Sequence, residues 1–533
     1  MSAATNIPPA SEISVVQPIP AEPAEFSRRL GNISRQSAVY FAGTILTAAS
    51  AYFFKIYLAR TLGAEALGLY ALGMSIVGFL GLFNAAGLPS AASRFVAQYE
   101  SRADLSRLGG FLRTSLGLLS IGNVLLGIAV LVIGPWIAIH LYHAPALGSY
   151  FTFFVLIMFF GVLNTFLGQA MAGYQDVAHR TVITHFIGTP ANMVLAVIFI
   201  GLGFGLKGYL VAQVASGFLV LTLLGKSVWE RTPPQARNAP GRAGLEKEVI
   251  AFSATAFGIA AVDFVLTQAD KVVLGFYLDA RQVGVYAVAI ALVGFVPIAL
   301  QSVNQIFAPI IAELHATGDH ALLQHLYSTL TKWILILTLP LAFTMIIFSR
   351  PLIAIFGHDF AGGAAVLAIG ALGQLFNCAV GSVGYLLLMS GNQLQLIKIQ
   401  GCNALVMVGL SLFLVPRFGI AGAAIASAVS VTCTNLWSLA AVVRTLKLFP
   451  YHSGYSKLLP CAFASAAVLF AFLHVAWRVH SPLIVAVAAF VFAYTSFFGM
   501  LLGFGLEPED REFAAIIWQH LGRNVRGDGA ASY

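Results

Sequence analysis

The chain has 533 residues, of which 59% are hydrophobic and only 9% charged, and its formal net charge is +8. A soluble globular chain is about a quarter charged, so these proportions exclude a water-facing globular fold and point to a surface that meets lipid. The positive charge does not indicate nucleic-acid binding, because the basic residues are scattered through loops between apolar runs rather than gathered in one patch.

Residues 1–36 form a polar tail rich in Pro and Ser. It has no apolar h-region, so it reads as a cytoplasmic N-terminal tail and not as a signal peptide. Fourteen apolar runs follow, each long enough to span a bilayer: 37–59, 67–88, 114–139, 150–171, 183–204, 208–229, 249–275, 283–306, 330–349, 364–389, 395–415, 420–443, 457–477 and 482–504. The runs are continuous, whereas barrel strands alternate over about 10 residues. Gly419 and Gly422 punctuate the short turn between the eleventh and twelfth runs. The expected fold is an all-α integral membrane protein with about 14 transmembrane helices. Its parts are a first six-helix bundle (37–229), a cytoplasmic linker (230–248) with Pro233-Pro234 and Pro240-Gly241, a second six-helix bundle (249–443), two extra helices (457–504) and a cytoplasmic tail (505–533). Phe513–Trp518 in that tail suits a short interfacial helix.

With the N-terminus inside, 21 of the Lys and Arg residues fall in inside segments and 6 in outside turns: Arg60, Lys207, Arg281, Arg350, Arg417 and Arg478. This bias places both termini in the cytoplasm and requires an even helix count. The basic loop holding Arg94, Arg102, Arg107 and Arg113 is then cytoplasmic, where it serves topology and attracts anionic lipid. Cys378, Cys402, Cys433 and Cys461 lie inside apolar runs at no metal-type spacing and read as small buried hydrophobes. His315, His320 and His325 recur every five residues, so they share no helical face, and they read as surface histidines. No metal and no cofactor is expected.

The two halves repeat. Leu62–Phe79 aligns with Leu278–Phe295, with eight of 18 positions identical at an offset of 216. Three further anchors keep register: Ala97–Asp104 with Ala312–Asp319, Met171–Gln175 with Met389–Gln393, and Gly205–Gly208 with Gly419–Gly422. Six helices return the chain to the same side, so the halves share one orientation about a pseudo-two-fold axis along the membrane normal. Transporters that rock two bundles around a central site are built this way.

The segments Ala59–Tyr70 with Gly87-Leu-Pro89, and Gln268-Ala-Asp-Lys-Val-Val-Leu-Gly275 with Val283-Gly-Val-Tyr286, resemble the polysaccharide transporter (Wzx-type flippase) branch of the multidrug/oligosaccharidyl-lipid/polysaccharide exporter superfamily. The resemblance spans roughly residues 30–445. It implies a flippase that moves an undecaprenyl-pyrophosphate-linked oligosaccharide from the cytoplasmic to the periplasmic leaflet of the bacterial inner membrane, during exopolysaccharide, capsule or O-antigen (lipopolysaccharide) biosynthesis. Partners implied are membrane lipid, the lipid-linked oligosaccharide, a glycan polymerase and a chain-length regulator.

Ionisable groups within membrane helices are the candidate site residues, because they are costly there. Asp263, Thr267, Asp270 and Lys271 fall in one sector of the seventh helix, and Gln268 adjoins them in the family-like stretch. Asp263, Asp270, Thr267 and Gln268 are candidates for lining a cavity or coupling an ion. Asp270 could instead neutralise Lys271. Lys55, in the outer third of the first helix, is 216 positions before Lys271. Two ammonium groups facing each other across the pseudo-axis suit a pyrophosphate, although lysines near an interface also snorkel. Thr44, Ala48 and Ala51 share the face of Lys55 and leave room there. Neutral amides such as Asn84, Asn164, Asn192, Gln213, Gln301 and Asn403 either line a sugar path or bind helices together.

Two other functions compete. One is a cation-coupled exporter of small drugs from the same superfamily. The other is a membrane glycosyltransferase or glycan polymerase, and the absence of any large outside loop argues against such an enzyme.

Overall fold

The computed structural model describes residues 23–238, 245–451, 455, 457–476 and 481–503, with side chains from Ser50 onward. Pro240-Gly241, Arg242, Arg478 and the tail containing Phe513–Trp518 lie outside the described residues, as do the side chains of Arg28, Arg29, Arg35, Thr44 and Ala48. No strand occurs among the described residues.

The first half comprises α1 (Pro23–Ala85), α2 (Leu88–Ser101), α3 (Leu105–His140), α4 (Phe151–Gly173), α5 (Val177–Thr181), α6 (Thr189–Gly201) and α7 (Gly205–Arg231). A short α8 (Pro234–Asn238) leads to the second half: α9 (Lys247–Tyr277), α10 (Ala280–Val293), α11 (Ile298–Thr317), α12 (His320–Ile347), α13 (Ser349–Ala354), α14 (Ala364–Val380), α15 (Val383–Met389) and α16 (Gln393–Thr445). Helices α17 (Leu458–Ala476) and α18 (Pro482–Gly503) follow and pack against α12. Ten described helices are long and apolar enough to cross a bilayer, or eleven if the bent pair α10–α11 is one span. Fourteen crossings require further that α1 and α16 each cross twice about a break, and that the shorter apolar helix Pro460–His474 cross as well.

Both breaks are at glycine. Gly63 interrupts α1 at φ 81°, ψ 175°, between the first two apolar runs. Gly419 interrupts α16 at φ 59°, ψ −136°, in the turn marked by Gly419 and Gly422. Only glycine enters such backbone regions without a steric penalty.

Three expected features differ. The basic segment 89–113 is largely helical. Helix α2 buries Leu88, Ala91, Ala92, Phe95, Val96 and Tyr99 along one face, and Asp104 caps α3 by accepting from the Arg107 amide at 3.1 Å. An apolar-run search passes over so short an amphipathic helix. The eighth run bends by 51° between α10 and α11. Pro297 has no amide hydrogen to continue the ladder, and the Cys378 thiol points to the carbonyl of Val296 at 3.8 Å. The tenth run divides at Gly381 (φ 69°), where a side chain would collide with Thr331.

The repeat anchors have structural causes. Asp319 caps α12 from the Leu322 amide at 3.0 Å, as Asp104 caps α3. Gly205 and Gly419, 214 positions apart, both take positive φ. At the centre of the longest match, Gly68 of α1 and Gly284 of α10 pack directly on each other. A Cβ on Gly68 would lie 3.0 Å from the Gly284 nitrogen, and one on Gly284 would lie 2.8 Å from the Gly68 nitrogen. The crossing uses Ala64-xxx-Gly68 on one side and Ala280-xxx-Gly284 on the other, the small-residue pattern that lets membrane helices approach closely.

Contacts between loops respect the sidedness read from charge. On the side assigned as outer, Arg60 Nε donates to the Ile355 carbonyl at 2.8 Å, and Arg281 pairs with Asp359 at 2.8 Å. On the side assigned as inner, Arg107 pairs with Glu246 at 3.1 Å, Arg94 with Glu248 at 3.5 Å, and Arg231 with Asp176. Arg94 also lies over the Phe252 ring at 4.7 Å, and Arg113 donates to the Arg237 carbonyl. The contacts of Arg94 and Arg107 with Glu246, Glu248 and Phe252 latch α2 and the start of α3 to the start of α9. Tyr99 donates to Glu246 at 3.4 Å. Burial first, and then the Glu246 carboxylate, push its hydroxyl up to about 12.

Candidate substrate cavity

Between the halves lies a cavity of about 690 Å³, bounded by α1, α7, α9 and α10. Lys55 enters it from α1, and Asp263, Thr267, Gln268 and Lys271 from α9. The remaining wall is mostly apolar, with Leu58, Met74 and Phe264 among its residues. A second chamber of about 550 Å³ opens from the same place and shares Lys55, Tyr70 and Tyr209 with the first. Lys55 therefore stands where the two chambers join.

The α9 stripe is organised by its own side chains. Lys271 Nζ donates to Gln268 Oε1 at 2.8 Å, which holds the ammonium group along the helix. Thr267 Oγ1 donates back to the Asp263 backbone carbonyl at 2.8 Å, and Asp263 lines the cavity beside it. Lys55 and Lys271 line this one cavity, one from each half.

Asp270 does not join them. It is buried, accepts from the Tyr286 hydroxyl at 2.5 Å and from the Lys271 amide at 2.7 Å, and is absent from the walls of both chambers. No ion pair between Asp270 and Lys271 occurs among the described residues. The angular count along α9 takes no account of its neighbour. Helix α10 begins at Ala280, folds back against the end of α9, and brings Tyr286 onto the face that carries Asp270.

The neutral amides divide clearly. Asn84, Asn164 and Asn403 donate across helix interfaces to Leu119, Gly217 and Ser430 at 3.1, 3.0 and 3.0 Å. They hold helices together. Asn192 and Gln301 line the second chamber. Gln213 stands behind its wall and donates to the hydroxyls of Tyr70 and Tyr209 at 2.8 and 2.9 Å. His315 lies in the last turn of α11 and His320 opens α12, and neither lines either chamber. No group of three metal-ligating side chains occurs among the described residues.

Sequence reasoning missed the tyrosines. A signal existed, since Tyr70 and Tyr286 are identical positions of the repeat. They take different partners, Tyr70 meeting Gln213 in the first half and Tyr286 meeting Asp270 in the second.

The sequence profile of the family described as "Polysaccharide biosynthesis protein" matches residues 57–362. A search of curated proteins gives no significant match. Among solved structures, the fold is similar to that of the lipid II flippase MurJ in its inward closed conformation, with a TM-score of 0.67 and 14% identity over 87% of this chain and 100% of that one. It is also similar to an inward-facing multidrug resistance MATE family transporter of the MOP superfamily, with a TM-score of 0.61 and 16% identity over 74% of this chain and 94% of that one. The Vibrio cholerae MATE transporter VcmN, in its bent form, gives a TM-score of 0.51 and 14% identity over 78% of this chain and 98% of that one.

Proposed function

Because this chain belongs to the polysaccharide biosynthesis protein family, we propose that it flips a lipid-linked oligosaccharide, carried on undecaprenyl pyrophosphate, from the cytoplasmic to the periplasmic leaflet of a bacterial inner membrane. Its fold is that of multi-pass membrane transporters and not of an enzyme. The observation that carries the reading is the placement of Lys55 and Lys271, 216 positions apart in the repeat, on the wall of one cavity between the halves. Two compact cations neutralise a pyrophosphate without dictating the sugar attached to it. In a largely apolar cavity each such charge-assisted contact is stronger than it would be in water.

The architecture suits alternating access. The halves meet at the Gly68–Gly284 crossing on the outer side and through the α2–α9 latch on the inner side. Releasing one contact while keeping the other exposes the cavity to one leaflet at a time. Asp263 shares the cavity, and its protonation provides a way to couple transport to a proton gradient. Product would pass to a glycan polymerase and chain-length regulator on the periplasmic side.

The drug-exporter alternative draws on the MATE-like fold and on the Asp263 carboxylate. The lysine pair disfavours it, because an organic cation entering the cavity meets two like charges. Deletion decides between them. The account expects lipid-linked repeat units to accumulate on the cytoplasmic leaflet of cells lacking the protein, with surface polysaccharide lost. Normal polysaccharide delivery in those cells, with no redundant homologue, refutes the proposal.

A further inference from the structure

The second chamber differs in chemistry from the first. Six of its lining side chains are aromatic: Tyr52, Phe54, Tyr70, Tyr209, Phe295 and Phe356. They come from both halves. Tyr52 stands edge-on to Phe295 and Phe356, with centroids 5.2 and 6.2 Å away and interplanar angles of 88° and 83°. Tyr70 and Tyr209 lie 5.1 Å apart, fixed by the shared amide of Gln213. The bend between α10 and α11 makes room, because Gly294, Phe295, Ile298 and Gln301 of that bend line the space. Besides the Lys55 ammonium and the tyrosine hydroxyls, the chamber's lining carries two amides. Asn192 Oδ1 is buried without a hydrogen-bond partner among the described residues, and Gln301 adds a second amide.

We propose that this chamber is a glycan subsite, which receives the first sugars of the lipid-linked oligosaccharide while Lys55 and Lys271 hold its pyrophosphate. The inference rests on the flippase reading above. A sugar ring presents an apolar C–H face and a rim of hydroxyls. Aromatic faces, with their negative quadrupole, take the C–H face, and planar amides give a donor and an acceptor to neighbouring hydroxyls. A chamber built for the lipid tail would not need a buried, unsatisfied amide oxygen, which is costly unless something pairs with it. Lys55 is on both walls, so phosphate and first sugar meet where the two chambers join, as their covalent link demands.

The test compares two probes on the purified full-length protein. One is undecaprenyl pyrophosphate. The other is the native lipid-linked repeat unit isolated from cells lacking this protein. Tyr52→Ala and Asn192→Ala are expected to weaken binding of the glycan-bearing lipid by about tenfold, the loss of one stacked ring or one buried hydrogen bond, and to leave binding of the bare lipid unchanged. Tyr52→Phe, which keeps the ring, retains wild-type affinity and controls for folding. Equal weakening for both probes, or for neither, overturns the glycan subsite. Lys271→Ala, which lines only the first chamber, reports on the underlying reading: it should weaken both probes, and if it weakens neither, the pyrophosphate site fails independently of the chamber.

Discussion

Replacing Gly68 by alanine tests how the halves meet. Two effects oppose each other. Alanine favours the helix over glycine by about 1 kcal/mol. The added methyl, however, would lie 3.0 Å from the Gly284 nitrogen and closer still to the Ala280 carbonyl, whereas ordinary contact begins at 3.4 Å. These neighbours are backbone atoms and cannot rotate away. The helices must therefore part by about 1 Å or more, at an overpacking cost of about 1–3 kcal/mol. Every 1.4 kcal/mol of that cost changes a two-state population about tenfold, so the outer contact should open in a large share of molecules. Gly81→Ala on the same helix is the control, because its methyl would meet Val162 at an ordinary 3.5 Å. Spin labels at Thr61→Cys and Gln282→Cys, both exposed on the side assigned as outer, report the separation. Gly68→Ala should lengthen the label distance and lower polysaccharide export about tenfold or more, with the protein still inserted. Gly81→Ala should change neither. An unchanged distance with wild-type export in Gly68→Ala would refute the close-crossing argument.

Other perturbations follow from the same contacts. Tyr286→Phe removes the hydroxyl that satisfies the buried Asp270, so it should lower stability by about 1–3 kcal/mol, read as a lower melting temperature in detergent; an unchanged melting temperature would contradict a structural role for Asp270. Removing Glu246 and Glu248 together should release α2 from α9 and speed alkylation of a cysteine placed at buried Ser253, whereas either change alone should do little, because exposed ion pairs contribute only about 0–1 kcal/mol. Tyr99 bears on the pH dependence of this latch. Its folded-state pKa is raised to about 12, so its hydrogen bond to Glu246 is present below the ordinary tyrosine range and is lost only as pH rises through about 12. The Ser253→Cys alkylation rate, corrected for the reagent's own pH dependence, should therefore show no step from Tyr99 between about pH 7 and 9; a step in that range that disappears in Tyr99→Phe would contradict this.

Much of this organisation is legible in residue patterns. Apolar runs locate the spans, charge alternation sorts the loops into two sets within which Arg107 meets Glu246 and Arg281 meets Asp359, and the 216-residue offset brings Lys55 and Lys271 to one cavity. Each depends on periodicity or on lipid exclusion, which act on local sequence. The amphipathic α2 is less visible, because its apolar face is short and studded with arginine. Asp270 shows the limit of angular reasoning, since which face of α9 is a cavity wall depends on what packs beside it. Of the second chamber, Lys55, Asn192 and Gln301 are legible as candidate polar residues, but the aromatic wall is not. Its six rings come from α1, α7, the α10–α11 bend and the loop at Phe356, and no local pattern joins them.

The proposed role of the two repeat-related lysines is to hold the pyrophosphate of the substrate during flipping. The most direct measurement is the flipping rate of the native lipid-linked repeat unit in proteoliposomes, for wild-type protein and for Lys55→Ala/Lys271→Ala reconstituted to equal amounts. The account predicts a rate lowered by about a hundredfold or more in the double variant, since two charge-assisted contacts are lost. Flipping at the wild-type rate by the double variant would contradict it.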